Sequence, residues 1–177
     1  MQFWKMNGAG NDFIILNNLE ERLPPSAFPL LARTLCTPHR SLGADGLMVV
    51  EQAQEGADFK MLFFNSDGSL GEMCGNGARC ICRYGYETGL SGPTQTVETT
   101  AGLVTGTRID RRQYRVQLNS PTVIRLHEAP VVEGKAWPCA YVELGSPGLP
   151  HAVVPYPGLA DADPQALFQL GKAMRSH

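Results

Sequence analysis

The run Leu70-Gly-Glu-Met-Cys-Gly-Asn-Gly-Ala-Arg-Cys80 and its continuation to Tyr86 constrain the fold more than any other stretch. Ile81, Cys82, Tyr84 and Tyr86 leave a helix there with few fully polar faces to give to water. Runs of β character lie on both sides. The spacing therefore predicts a helix from about Ala78 to Tyr86, stopped at Gly89 and wrapped by sheet, with Cys80 and Cys82 packed in the core.

A single cysteine, Cys74, stands ahead of two glycines at the start of that helix. A helix N-terminus carries partial positive charge and several N–H groups without partners, so a thiol beside it is drawn toward thiolate. Gly75 and Gly77 lack a Cβ and would let an anion approach those N–H groups. One reading is a nucleophilic or acid/base thiol facing an anionic substrate. The other is a strand, a glycine-rich turn and a buried structural cysteine, the commoner fate of cysteine. Cys-Gly-Asn-Gly alone leaves both open.

Composition excludes several classes. With 177 residues, 43% hydrophobic and 18% charged, the chain is an ordinary globular sequence of one core, or of one domain and part of a second. A net charge of −2 provides no basic field for nucleic acid. No apolar run reaches transmembrane length, and Met1-Gln-Phe-Trp-Lys5 runs into a Gly-rich turn without a signal peptide, so no membrane partner and a cytoplasmic location are expected. The five cysteines are an odd number, which suits a reduced compartment better than a disulfide framework. Cys74, Cys80 and Cys82 lack paired C-x-x-C spacing and a neighbouring histidine, so no metal site is expected.

In chain order, Gln2 to Met6 and Phe13 to Leu16 read as two strands round Asn7-Gly-Ala-Gly-Asn-Asp12. Gly8-x-Gly10 lacks the third glycine and the following helix of a dinucleotide site. Asn11 is either turn chemistry or an amide offered to a substrate. Pro24 to Cys36 reads as a helix with Ser26 as cap candidate and Cys36 on its inner face. Strands are expected at Leu47–Val50 and Asp58–Phe64, and Asp67-Gly68 signals a hairpin returning through Leu70 to Met73. Asn65, at a strand end, is again turn former or ligand. Further strands are expected at 95–100, 103–109 and 114–118. Asn119-Ser-Pro121 marks a boundary between a domain 1–118 and a second element set 119–177. Beyond it come strands at 123–127, 140–144 and 151–154, and a capped helix from Asp163 to Met174. His151, before an apolar run, has the context of a structural histidine.

Lys5-Met-Asn-Gly-Ala-Gly-Asn-Asp-Phe13, Gly43-Ala-Asp-Gly46, Phe64-Asn-Ser-Asp-Gly68, Met73-Cys-Gly-Asn-Gly-Ala-Arg79 and Pro150-His151 occur in an order and spacing that resembles diaminopimelate epimerase over essentially the whole chain. The resemblance implies an α+β fold: mostly antiparallel, curled, barrel-like sheet wrapped round a central helix, with the start of a second similar domain in 119–177. It implies a small-molecule substrate, diaminopimelate, inverted at one α-carbon between LL and meso forms without pyridoxal phosphate or metal, a step of lysine and cell-wall precursor synthesis. By the match, Cys74 is one of two catalytic cysteines, His151 supports catalysis, and Asn11, Asn65, Gly75 and Asn76 bind the substrate. A homodimer is compatible with this reading.

The chemistry agrees, since inversion of an unactivated α-carbon calls for an acid/base group on each face and for dipoles that stabilise the carbanion. Three positions depart from the family pattern. Asn7 stands where many members have histidine, Gly46 where some have glutamine, and Leu149, in the loop from Gly145 to Pro150, where many have asparagine. The family's second cysteine belongs to a later Cys-Gly-Ser/Thr-Gly motif that this sequence does not reach, so the 177 residues by themselves are expected not to epimerise at a useful rate. Two other classes fit less well. Proline racemases typically have histidine where this chain has Asn76, and phenazine-biosynthesis isomerases lack the cysteine. A non-catalytic half-module that binds diaminopimelate is the remaining alternative.

Overall fold

The computed structural model describes residues 1–54, 56–145 and 148–176. The chain divides into two compact units, Met1–Asn119 and Ser120–His177. In the first, β1 (Phe3–Gly8) and β2 (Asn11–Asn17) form a hairpin, followed by a single helical turn, α1 (Asn18–Glu21), and by α2 (Phe28–Cys36). Next come β3 (Gly46–Glu51), β4 (Phe59–Asn65), β5 (Leu70–Gly71) and α3 (Gly75–Glu87), and then β6 (Thr94–Thr99), β7 (Gly102–Arg108) and β8 (Tyr114–Gln117). The eight strands make one sheet in the order β1-β2-β3-β4-β6-β7-β8, with β5 paired to β4. Pairing is antiparallel except for β2 with β3 and β4 with β6, the two places where a helix crosses between them.

The apolar runs of β2 and β3 follow from their position between two helices. Phe13, Ile15, Met48 and Val50 face α3, where they join Cys80, Ile81, Cys82 and Tyr84. Their neighbours Ile14, Leu16, Leu47 and Val49 face α2 and pack with Phe28, Ala32 and Cys36. Each buried Val, Leu, Ile, Phe or Met side chain among them contributes roughly 1.5–3 kcal/mol. Farther along the sheet β6 alternates buried residues with exposed or half-buried ones, the pattern of a strand covered mainly on one face.

α3 touches β1 and β2 near one end of the strand order and β7 and β8 at the other, so the sheet curls round it. This is the curled sheet about a central helix that the family resemblance implies. Two glycines make the wrap possible. A Cβ on Gly106 would lie 2.2 Å from Cys82 Sγ, and one on Gly85 would lie 2.6 Å from Gln95 Oε1 and 2.7 Å from the Phe59 ring. Cys36, Cys80 and Cys82 are core residues, as their spacing suggests. Ser26 does not cap α2. It lies in a 3-10 turn, Pro25–Ala27, and α2 begins at Phe28 without a side-chain cap. Two consecutive prolines followed by Ser-Ala wind tightly before the helix can start.

In the second unit β9 (Pro121–Glu128), a short hairpin of β10 (Val131–Val132) and β11 (Lys135–Ala136), β12 (Cys139–Leu144) and β13 (Leu149–Val153) precede α4 (Pro164–Arg175). β13, β12 and β9 form an antiparallel sheet. Asp163 caps α4 by accepting from the N–H groups of Gln165 and Ala166. Within the loop from Gly145 to Pro150, Ser146 and Pro147 lie outside the described residues. No helix among the described residues is long and apolar enough to cross a membrane.

Candidate active site

α3 begins at Gly75, earlier than the expected Ala78, so Cys74 itself is the N-cap. Glycines propagate a helix poorly, which hides the start from an apolar pattern. The Cys74 backbone is extended (φ −124°, ψ 117°), and no side chain caps the helix. Its carbonyl accepts the first helical hydrogen bond, from Ala78 at 2.7 Å. The N–H groups of Gly75, Asn76 and Gly77 therefore have no helical partner, and they add to the positive end of the helix dipole beside a half-buried thiol.

The glycines of this turn have different reasons to be there. A Cβ on Gly77 would lie 2.4 Å from Met48 Cε, and one on Gly8 would lie 2.6 Å from Cys80 Sγ and 2.8 Å from the Asn76 carbonyl oxygen. Those two bring the β1–β2 turn and β3 hard against the helix start. At Gly75 the nearest atom is Leu118 Cδ2 at 3.7 Å, an ordinary contact. Packing does not demand glycine at position 75, so what its bare backbone leaves is open space beside the first N–H groups.

The amides converge on the same turn. Asn76 Nδ2 donates to Asn11 Oδ1 at 2.8 Å, and Asn11 Nδ2 donates to Asp45 Oδ2 at 3.1 Å. Arg79 donates to Asn76 Oδ1, and Asp45 Oδ2 also accepts from the Asp12 N–H at 2.8 Å. Asn7 is turn chemistry: it donates to Asp12 Oδ1 at 2.9 Å and accepts from Gly10 N–H. The Asn7 hydrogen bond, with Lys5 beside it, holds the Asp12 carboxyl below the usual carboxylate range.

Asn65 ends β4 directly opposite Gly46. Its Nδ2 donates to Ser69 Oγ at 2.9 Å, closing the Asn65–Ser69 turn. Gly46 is tightly enclosed, since a Cβ there would lie 2.3 Å from the Phe63 ring and 2.7 Å from the Phe64 carbonyl oxygen. Phe63 thus fills the place from which a glutamine at position 46 would start. Gly46→Ala should lower stability by about 1–3 kcal/mol, seen as a lower urea midpoint at unchanged slope. An unchanged midpoint would mean that the Phe63 ring yields freely.

His151 lies in β13 of the second unit, exposed, with Nδ1 2.9 Å from the Leu149 carbonyl oxygen. A groove of about 730 Å³ in the first unit runs between β1 and β8 beside α3. Lys5, Arg79, Arg83, Arg112, Glu87 and Tyr114 line it, and Cys74 is not part of its wall. Asp45 and Arg79 are the network members that sequence reading left without a role. Ala-Asp-Gly looks like a turn, and only the recurrence of both residues inside the family motifs hinted at more.

Residues 3–124 match the family model described as Diaminopimelate epimerase. The chain belongs to the diaminopimelate epimerase family. Among curated relatives it is 35% identical over 185 residues to the diaminopimelate epimerase of Aquifex aeolicus (strain VF5), covering 100% of this chain and 64% of the relative. It is 39% identical over 166 residues to that of Moorella thermoacetica, covering 83% of this chain and 58% of the relative. The chain thus spans less than two thirds of the length of these epimerases. Two solved structures share the fold. A probable proline racemase from Agrobacterium radiobacter K84 aligns at TM-score 0.63 and 19% identity, over 90% of this chain and 55% of that one. A hydroxyproline epimerase from Agrobacterium vitis aligns at TM-score 0.63 and 17% identity, over 87% and 51%.

Proposed function

We propose that this chain carries half of the active site of a cofactor-independent diaminopimelate epimerase, with Cys74 as the acid/base thiol for one face of the substrate α-carbon. The observation that carries this reading is the start of α3. A half-buried thiol there shares its turn with three N–H groups that have no helical partner and with the linked amides of Asn11 and Asn76. As thiolate, Cys74 takes the α-proton. The electron pair of the broken C–H bond passes into the carboxylate, whose growing negative charge the N–H groups of Gly75, Asn76 and Gly77 stabilise. A second acid on the opposite face returns a proton to complete inversion. Asn11, Asn65, Gly75 and Asn76 bind the substrate, and His151 supports catalysis. No metal or pyridoxal phosphate takes part.

In this reading residues 1–118 are one domain and 119–177 begin another, and the enzyme works in the cytoplasm in lysine and cell-wall precursor synthesis. Diaminopimelate titrated into ¹⁵N-labelled protein should shift the backbone amide signals of Gly75, Asn76 and Gly77 more than any others. Saturable shifts confined elsewhere would refute the placement.

A further inference from the structure

We infer that Asp45 and Arg79 are positioning residues that lock the side-chain amides of Asn11 and Asn76 in one orientation, so that each keeps a spare N–H for an anionic ligand. The inference rests on the proposed function for the identity of that ligand, but its geometry stands apart from it. Four side chains form a line. Arg79 donates to Asn76, Asn76 to Asn11, and Asn11 to Asp45.

The two middle members are amides, and an amide can exchange its donor and acceptor ends by turning over. The two outer members cannot. An ionised carboxylate only accepts and a guanidinium only donates. If Asn11 turned over, its oxygen would face Asp45 Oδ2 and its NH₂ would face the NH₂ of Asn76. If both amides turned over together, the clash with Asp45 would remain and the NH₂ of Asn76 would face Arg79. The ends therefore fix the polarity of the middle. Each Nδ2 spends one hydrogen in the line and has a second to give.

Asp45 is well placed to act as the fixed end. Its N–H donates to the Asp12 carbonyl oxygen at 2.9 Å, and its own carbonyl accepts from the Ser66 N–H at 3.2 Å, so the backbone is tied to β2 on one side and to the turn after β4 on the other. Oδ2 holds the Asp12 N–H as well as Asn11. A bond to an ionised acceptor is also about twice as strong as one between neutral groups. Arg79 sits one turn along α3 from Asn76, within easy reach of its oxygen.

The test reads the amides directly and then reads ligand affinity. In Asp45→Ala, the side-chain NH₂ signals of Asn11 and also of Asn76 should move toward free-amide positions, with hydrogen exchange at least tenfold faster. Asp45→Asn, whose amide oxygen can accept at the same place, should restore most of both. Arg79→Met should loosen Asn76 first. Diaminopimelate affinity should fall at least tenfold in Asp45→Ala and return to within about threefold of the parent in Asp45→Asn. Phe28→Leu, in the core on the α2 face, serves as a control of comparable destabilisation and should leave affinity unchanged. Asn76 signals indifferent to Asp45→Ala would overturn the inference. So would affinity that follows thermal stability across all four variants. If the parent chain does not bind diaminopimelate, the substrate assignment fails, while the amide signals still decide whether Asp45 and Arg79 orient the pair.

Discussion

Conversion of LL- to meso-diaminopimelate by the 177-residue chain should run at least 10²–10⁴ slower than by a full-length epimerase, an order-of-magnitude expectation for loss of one positioned acid/base group. Cys74 is the one cysteine held at a glycine-flanked helix start, and a single thiol can serve only one face of the α-carbon. Cys36, Cys80, Cys82 and Cys139 are all buried and have no comparable surroundings. The assay follows the stereochemistry of diaminopimelate and its uptake of deuterium in deuterated water, with Cys74→Ala alongside. Deuterium uptake without inversion, abolished in Cys74→Ala, would show a competent half-site. Full turnover that disappears in Cys74→Ala would mean that the opposite face is served by a group other than a second cysteine of this kind.

Alkylation of the folded protein at neutral pH should label Cys74 first by a wide margin. Burial pushes the thiols of Cys36 and Cys80 up to about 11, and that of Cys82 up to about 12, from an ordinary 9.0. Only the thiolate reacts, so these shifts alone lower the rates at Cys36 and Cys80 by on the order of 10² and at Cys82 by on the order of 10³. Poor access through the core lowers them further. Cys139 is 7% exposed and shares the penalty of access. Cys74 is half-exposed and stands at the first turn of α3, open to the reagent. Peptide mapping after a short exposure to iodoacetamide gives the ranking. Labelling of Cys36 or Cys139 ahead of Cys74 would remove the basis for assigning it the chemistry.

These two expectations draw on different kinds of information. That a cysteine precedes a helix is legible along the chain, because helix starts, glycines and apolar runs are local patterns of a few residues. The same holds for the strands of the first unit, whose alternation or unbroken apolarity reports whether one face or two are covered. Family resemblance then supplied the curl of the sheet, which no single strand encodes.

Other features depended on residues far apart in the chain. Ser26 has the chemistry of a cap, yet the preceding prolines wind the chain into a 3-10 turn and leave the residue outside the helix. Gly46 stands out along the chain only as a departure from the family pattern, and its reason is the ring of Phe63 on the next strand. Asn11 reads along the chain first as a turn former, and no local pattern announces its two partners, Asp45, 34 residues away, and Asn76, 65 residues away. Local pattern specifies which elements form, because propensity, capping and hydrophobic period act over one or two turns of chain. The direction in which an amide points is set by whichever carboxylate and guanidinium the folded sheet brings to it, and that pairing has no period along the sequence to betray it.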